Sequence, residues 1–158
     1  MKSSPCSNRS FLEIFSHEYF MNEALKQAKI AFEEGEIPVG AVIVSKNKII
    51  ARGYNQTEKL QDVTAHAEMI AITSAANYLG AKYLPDCKLY VTLEPCPMCA
   101  GALFWSQIGE IYYGASDPKR GYHQCNAAML HPKTKVFGGL MEQEAQVLVL
   151  DFFKKLRD

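Results

Sequence analysis

Apolar residues recur at every third or fourth position in the first long segment of the chain, which indicates an amphipathic helix. Ser16 is a suitable N-cap and Gly35 a suitable stop, so we predict a helix over 17–34. Two runs rich in β-forming residues follow, over 39–44 and 49–54, with a short polar stretch between them. That arrangement predicts a β-hairpin.

The rest of the chain alternates helical with strand-like patterns. Further helices are predicted at 65–79, 97–106 and 141–156, and strands at 88–93, 108–114 and 135–140. No clear period runs through 115–134, so the pattern leaves this segment open between a functional loop and a short helix. The alternation predicts an α/β domain whose mixed sheet is covered on both faces. No repeat or linker divides the chain, and we expect a loose tail over 1–15 and one domain over 16–158.

Composition narrows the class of protein. Lys plus Arg equals Asp plus Glu, at 17 each, which gives no support to bulk binding of phosphates but leaves a local basic patch open. No apolar run approaches the ~18 residues of a membrane span, and the first fifteen residues lack the apolar stretch of a secretory signal. The five cysteines are an odd number, which suits a disulfide framework poorly. We therefore expect a cytoplasmic protein with no membrane association.

Two short motifs about thirty residues apart carry metal-binding side chains. His66 begins one predicted helix, and Cys96 and Cys99 begin another. Helix N-termini stabilise thiolates, and two thiolates with one imidazole suit Zn²⁺, with a fourth tetrahedral position left for water. Glu68 lies two residues after His66, about 200° around a helix axis. We therefore predict that Glu68 is no ligand but takes a proton from the bound water.

The Cys-x-x-Cys motif alone allows two other interpretations, a structural zinc knuckle and a redox pair. A redox pair would leave the motif at 66–68 without a role. A structural zinc site needs a fourth protein ligand. The candidates for it are Cys87, Cys125, His123 and His131. We interpret Cys87 as a core or strand-edge residue and Cys6 as an inert residue of the tail.

At these motifs the chain resembles the cytidine and purine deaminase superfamily, whose H-x-E and P-C-x-x-C patterns match 66–68 and 95–99. Longer matches over 62–68, 89–102 and 113–117 are similar to the bacterial tRNA-specific adenosine deaminases. The resemblance implies a three-layer α/β/α domain around a five-stranded mixed sheet, and a homodimer. The implied reaction converts the wobble adenosine of a tRNA anticodon stem-loop to inosine.

The resemblance also implies roles for single residues. His66, Cys96 and Cys99 match the zinc ligands, and Glu68 matches the residue that moves protons. The positions that match substrate contacts are Asn55, Pro38, Val39, Ala67 and Asp117. From the sequence alone, Asn55 is equally well explained as a turn residue and Asp117 as a loop cap.

One segment departs from the pattern of the family. After Asp117 the family usually has a stretch rich in Gly, Ala and Ser and then an Asn-His pair, whereas this chain has different and shorter text over 118–126 and 131–136. Candidates for phosphate contacts in this segment are Lys119, Arg120, Lys133 and Lys135. The departure favours a rival substrate, free guanine or another small nucleobase or nucleoside. A rival of a different class is a non-catalytic interaction module stabilised by zinc, against which Glu68 and the open fourth position argue.

Overall fold

A five-stranded mixed sheet forms the centre of the structure, a computed structural model that describes residues 15–158. Its strands are β1 (Gly40–Ser45), β2 (Lys48–Tyr54), β3 (Cys87–Leu93), β4 (Glu110–Ala115) and β5 (Lys135–Phe137). Their order across the sheet is β2-β1-β3-β4-β5. The pairings of β1 with β2 and with β3 are antiparallel, and those of β4 with β3 and with β5 are parallel. The predicted mixed sheet is confirmed.

Helices cover both faces of this sheet. They are α1 (His17–Glu33), α2 (Ala67–Leu79), α3 (Pro97–Ser106) and α4 (Glu142–Arg157). On one face α2 and α3 contribute core residues such as Ala71 and Leu103. On the other face α1 and α4 contribute Met21 and Ala145. The predicted three-layer α/β/α architecture is therefore confirmed.

Strand β1 shows how the sequence produces two cores. Ala41 and Ile43 belong to the core under α2 and α3, whereas Val42 and Val44 belong to the core under α1 and α4. Successive side chains of a strand point to opposite faces. A central strand with helices on both faces is therefore apolar throughout instead of alternating.

The predicted first helix and hairpin are confirmed, and local interactions explain both. The hydroxyl of Ser16 accepts a hydrogen bond from the N–H of Tyr19 (3.1 Å), so α1 begins at His17. Between β1 and β2, Lys46 and Asn47 both have positive φ, 51° and 61°. Two such residues form the tight turn whose twist matches that of the paired strands.

Three element boundaries differ from the prediction by two or more residues, and the others lie within one residue of it. Helix α2 begins at Ala67 and not at residue 65, because His66 is its N-cap and has an extended backbone (φ −76°, ψ 154°). Strand β4 begins two residues later than predicted, at Glu110. Strand β5 ends at Phe137, since Gly138 and Gly139 turn the chain with φ +88° at the second glycine.

Residues 116–134 contain no long helix and only one 3₁₀ turn, Tyr122–Gln124. The segment that the pattern left open is therefore mostly loop. None of the helices within 15–158 is long and apolar enough to cross a membrane. Residues 1–14 of the predicted tail, with Cys6, lie outside the described residues.

Candidate active site

Two helix N-termini bring three metal-binding atoms together. His66 is the N-cap of α2, Cys96 is the N-cap of α3, and Cys99 lies in the first turn of α3. His66 Nδ1 lies 3.6 Å from Cys96 Sγ and 3.5 Å from Cys99 Sγ. All three ligand atoms lie within 4.8 Å of one another. The sequence prediction that these residues form one site agrees with this geometry.

The spacing of the three atoms fits a tetrahedral zinc ion. Zn–N bonds of about 2.0–2.1 Å and Zn–S bonds of about 2.3 Å at a tetrahedral angle give an N···S edge of roughly 3.6 Å. The two N···S distances here, 3.5 Å and 3.6 Å, match that edge. Two thiols and one imidazole are also the ligand types that zinc prefers. These residues therefore fit the group that the sequence predicted.

Protonation within the cluster is uneven. A hydrogen bond from Cys99, and then one from His66, lower the pKa of the Cys96 thiol to about 4, against the effect of its burial. The hydrogen bond to Cys96, followed by burial, raises the pKa of Cys99. The hydrogen bond to Cys96 also raises the pKa of His66. The Cys96 thiolate thus accepts hydrogen bonds from both Cys99 and His66. A bound dication would take the place of these protons, and both sulfurs would then be deprotonated.

Glu68 is buried beside this cluster, with 4% of its surface exposed. Burial raises the pKa of its carboxyl to about 7, the range of a group that both accepts and releases protons. Its carboxylate contacts Cys99 but is no member of the ligand triangle. His66 precedes the first regular turn of α2, so the predicted angle of about 200° around a helix axis does not relate its side chain to that of Glu68. Instead, the backbone changes from extended at His66 to helical at Glu68, and the two side chains therefore differ in direction.

No fourth protein ligand joins the cluster in the part of the chain that the structure describes. Cys87 is buried in β3, within the core under α2 and α3, as predicted for a core residue. Cys125 is a free thiol elsewhere, and His123 contacts Glu94 instead. The ring of His131 packs near Phe104. The arrangement therefore favours a site with three protein ligands over a closed structural site.

A cavity of about 610 Å³ opens onto this cluster. His66, Glu68 and Cys96 line one end of it. The predicted substrate-contact residues that also line it are Val39, Asn55, Ala67 and Asp117. Pro38 is buried between two lining residues, Ile37 and Val39, and does not itself line the cavity. Asn55, at the end of β2, is almost fully buried.

Two buried carboxylates, and the place of helix α4 in the cavity wall, were not predicted. Glu94 and Glu36 are 5% and 1% exposed, and each accepts backbone hydrogen bonds from a neighbouring loop. A charged residue at the end of an apolar strand was the available signal for Glu94. Helix α4 contributes Phe153 and Arg157 to the cavity wall. Only the tertiary fold brings α4 there, so no local pattern could reveal its role.

Fold and site together define a metal-dependent deaminase domain, and comparison with known proteins agrees. The family model of the cytidine and deoxycytidylate deaminase zinc-binding region matches residues 15–115. The chain belongs to this family. A tRNA-specific adenosine deaminase of Rickettsia bellii is 44% identical over 145 residues, which cover 87% of this chain and 100% of that protein. Another, of Aquifex aeolicus, is 47% identical, with coverage of 89% and 96%.

Solved structures show the same relationship. A chain from a study of A-to-I editing by tRNA:A34 deaminases at the wobble position superposes with a TM-score of 0.78. It is 44% identical, and the match covers 82% of this chain and 98% of that one. A guanine deaminase from Bacillus subtilis is 45% identical, but the match covers 64% of this chain and 65% of that one, with a TM-score of 0.61.

Proposed function

We propose that the chain is a tRNA-specific adenosine deaminase, which hydrolyses the C6 amino group of the wobble adenosine in an anticodon stem-loop and leaves inosine. The observation that carries this proposal is the triangle of His66, Cys96 and Cys99 beside buried Glu68, at one end of an open cavity. Relatives with that name match this chain over nearly their whole length, which supports the substrate.

Zinc is the metal we propose for the triangle. Bound there, Zn²⁺ would leave one coordination position to a water molecule and lower the pKa of that water to about 7. His66, Cys96 and Cys99 would hold the ion, and the α2 and α3 N-termini favour the negative charge of the thiolates. The cavity is lined by His66 and Cys96, so water and substrate have access to the cluster.

Glu68 moves the protons in this mechanism. Its carboxylate accepts a proton from the attacking water and delivers it to the ring nitrogen next to C6. A second proton passes through the same carboxylate to the departing amino group, which leaves as ammonia. Because burial raises the pKa of the Glu68 carboxyl to about 7, the group can both accept and release a proton near neutral pH. The wobble adenine must leave its stack to reach this group, which favours an unpaired base.

We assign the predicted pocket residues to binding of the target nucleotide. Asn55 is buried in the cavity wall, where its amide offers both a donor and an acceptor to the nucleoside. Val39 and Ala67 offer apolar and backbone surface on the same wall. Asp117 accepts the N–H groups of Lys119 and Arg120 (3.2 Å and 3.0 Å), so it also acts as a loop cap. Pro38 supports this wall from behind.

Cationic and aromatic side chains around the cavity support an RNA substrate. Lys119, Arg120 and Arg157 line it together, although they come from two distant parts of the sequence. Phe153 lines it as well and is 40% exposed. Guanidinium and ammonium groups suit phosphates, and an exposed aromatic ring suits an unstacked base. Lys133 and Lys135, the other predicted phosphate contacts, do not line this cavity.

Association and location follow as further proposals. Met98 and Trp105, seven residues apart on α3, are 38% and 74% exposed, and an apolar helix face of this kind suits a homodimer seam. We propose a homodimer on this basis. A tRNA substrate places the protein in the cytoplasm.

A parallel assay of substrates tests the proposed function. Zinc-loaded protein is incubated separately with an anticodon stem-loop that contains a wobble adenosine, and with free guanine, adenosine and cytidine. Ammonia release and product mass are measured for each. We expect inosine in the stem-loop and no comparable turnover of the free compounds. Turnover of guanine with an untouched stem-loop would overturn the substrate but not the metal site. Absence of any turnover would favour the interaction module.

A further inference from the structure

One buried carboxylate connects residues 94–96, called here the metal-binding loop, to the segment 117–123, which follows β4 and departs from the family pattern. Glu94 directly follows β3 and precedes Pro95 and Cys96, and its side chain is only 3% exposed. Oε1 accepts the N–H of Asp117 (3.2 Å), and Oε2 accepts the N–H of His123 (3.2 Å). A single side chain thus binds both ends of the segment 117–123.

His123 adds a side-chain contact to the same carboxylate. Its Nδ1 lies 3.1 Å from Glu94 Oε2, and its ring stacks on Tyr122 with centroids 4.4 Å apart. The N–H of Tyr122 donates to the carbonyl of Pro95 (3.0 Å), a second tie to the metal-binding loop. Glu94 is the buried end of this contact, whereas 58% of the His123 side chain is exposed, so Glu94 fixes the position of a side chain on the surface.

Gly121 leaves room for this contact. A Cβ there would overlap Glu94 Oε2 and would lie 2.6 Å from the carbonyl oxygen of Asp117. The backbone of Gly121 has φ −69° and ψ 154°, a conformation that any residue can adopt. Glycine is therefore required at 121 for space and not for conformation.

The side of this segment that faces the cavity carries the groups assigned to the substrate. Asp117, Lys119 and Arg120 all line the cavity. Their positions depend on a loop without regular secondary structure, in which the Asp117 side chain accepts hydrogen bonds from the N–H groups of Lys119 and Arg120. A carboxylate that fixes both ends of the loop therefore also fixes where these cations lie relative to the metal cluster.

We propose that Glu94 and His123 are positioning residues for substrate binding. Together they hold the segment 117–123 against the metal-binding loop, so that Lys119 and Arg120 face the bound RNA. Tyr122 and His123 belong to the stretch where this chain departs from the Gly-, Ala- and Ser-rich pattern of its family. The inference rests on the proposed function for its substrate, but the anchor itself is a property of the protein alone.

His123→Ala tests the anchor, with Gln124→Ala as its matched control in the same 3₁₀ turn, where Gln124 is exposed. We expect His123→Ala to raise KM for the stem-loop roughly threefold to tenfold, with kcat and zinc content close to those of the parent protein. Gln124→Ala should leave all three unchanged. An unchanged KM in His123→Ala, or a loss of zinc that accounts for the lost activity, would overturn the proposal.

A rescue experiment separates positioning from general destabilisation. Gly121→Ala should raise KM at least as much as His123→Ala, because the new methyl group displaces the Glu94 carboxylate. In a Glu94→Ala background the overlap with the carboxylate is gone and only the 2.6 Å approach to the carbonyl oxygen of Asp117 remains, so adding Gly121→Ala should raise KM by a smaller factor than it does in the parent protein. Independent effects of the two substitutions, multiplying in the double variant, would contradict a shared anchor.

Amide hydrogen exchange judges the anchor without any substrate. The amides of Asp117 and His123 should exchange faster in His123→Ala than in the parent protein, and those of α1 should not change. Unchanged exchange at both amides would refute the anchor even if the stem-loop is deaminated. If the parent protein fails to act on the stem-loop, the proposed function fails, and hydrogen exchange still decides whether the anchor exists.

Discussion

Cys96 and Cys99 lie three residues apart in the same helical turn, yet their pKa values shift in opposite directions without a metal. The hydrogen bond between the two sulfurs explains the difference, because it stabilises one thiolate and one thiol. Metal binding would require both as thiolates and release the remaining proton. We therefore expect the affinity for zinc to depend on both sulfurs and on His66 together.

Cysteine substitutions test this dependence at the scale of single residues. We expect Cys96→Ser to lower zinc affinity by more than about tenfold, a loss that changes outside the ligand shell already produce. Cys125→Ser is the matched control, because Cys125 is a free thiol outside the cluster. Zinc content after dialysis against a graded chelator measures the effect. Equal zinc retention in the two variants would contradict the assignment of the ligands.

Residues that share a short motif could be predicted from the sequence, and residues paired over long distances could not. Residue type and spacing at helix N-termini were enough to predict the group of His66, Cys96 and Cys99. Glu94 and His123 are 29 residues apart, and only the parallel pairing of β3 with β4 brings their loops together. Glu68 lies outside the His66, Cys96 and Cys99 triangle, but His66 is an extended N-cap, so no angle around a helix axis relates the two side chains.

At the scale of elements, the loop between β2 and α2 depends on one buried carboxylate. Glu36 is 1% exposed and accepts the N–H groups of Glu58 (3.0 Å) and Lys59 (2.8 Å). These bonds close the turn that follows Asn55 and leads towards His66. Without them, two backbone donors would lose their acceptor.

Glu36→Ala tests the role of this loop in stability. We expect it to lower the free energy of unfolding by about 1–3 kcal/mol, the cost of leaving backbone donors without a partner. Urea denaturation of the metal-loaded protein measures the change. Glu33→Ala, at an exposed glutamate of α1, should have almost no effect. Equal destabilisation by the two substitutions would show that the hydrogen bonds of Glu36 contribute nothing specific.

Element boundaries were predictable where local chemistry sets them. The Ser16 cap and Pro97 at the start of α3 are local signals, and the structure follows both. Strand β5 ends early, at Phe137, because Gly138 and Gly139 follow it. The prediction rested on apolar positions and did not take these two glycines into account. The segment 116–134 could not be predicted because its conformation depends on Glu94 and on contacts with the sheet instead of on its own periodicity.

At the scale of the whole molecule, α3 presents two different faces. Ala100 and Leu103 are fully buried in the core, whereas Trp105 is 74% exposed and Met98 38% exposed. The surface of α3 is thus divided between core and solvent. A large aromatic side chain left in water beside other apolar groups marks a surface for association.

Trp105→Glu tests the proposed homodimer. A charge buried without a partner in the seam should weaken association by roughly 100-fold or more. Val147→Glu is the matched control, because Val147 is also an exposed apolar residue (53%) but lies on α4, across the sheet. Sedimentation velocity over a range of concentrations measures the effect. A parent protein that stays monomeric, or a dimer that Trp105→Glu leaves intact, would contradict the seam.

The fold as a whole was predictable because its signals repeat along the chain. Apolar β1 and β3 predict a sheet covered on both faces, and the helical patterns supply the covers. The residues that line the cavity were harder to predict, because only the tertiary fold brings α4 next to it. No local pattern in the sequence therefore indicated that Phe153 and Arg157 line the cavity.

The proposed mechanism requires Glu68 to move protons in the deamination of a wobble adenosine at a zinc site. The most direct test compares zinc-loaded parent protein with Glu68→Ala in single-turnover reactions on the anticodon stem-loop, read by inosine formation and zinc content. We predict inosine at the wobble position with the parent protein. We predict a loss of at least about 100-fold in Glu68→Ala, with zinc retained. Undiminished inosine formation by Glu68→Ala would contradict the account.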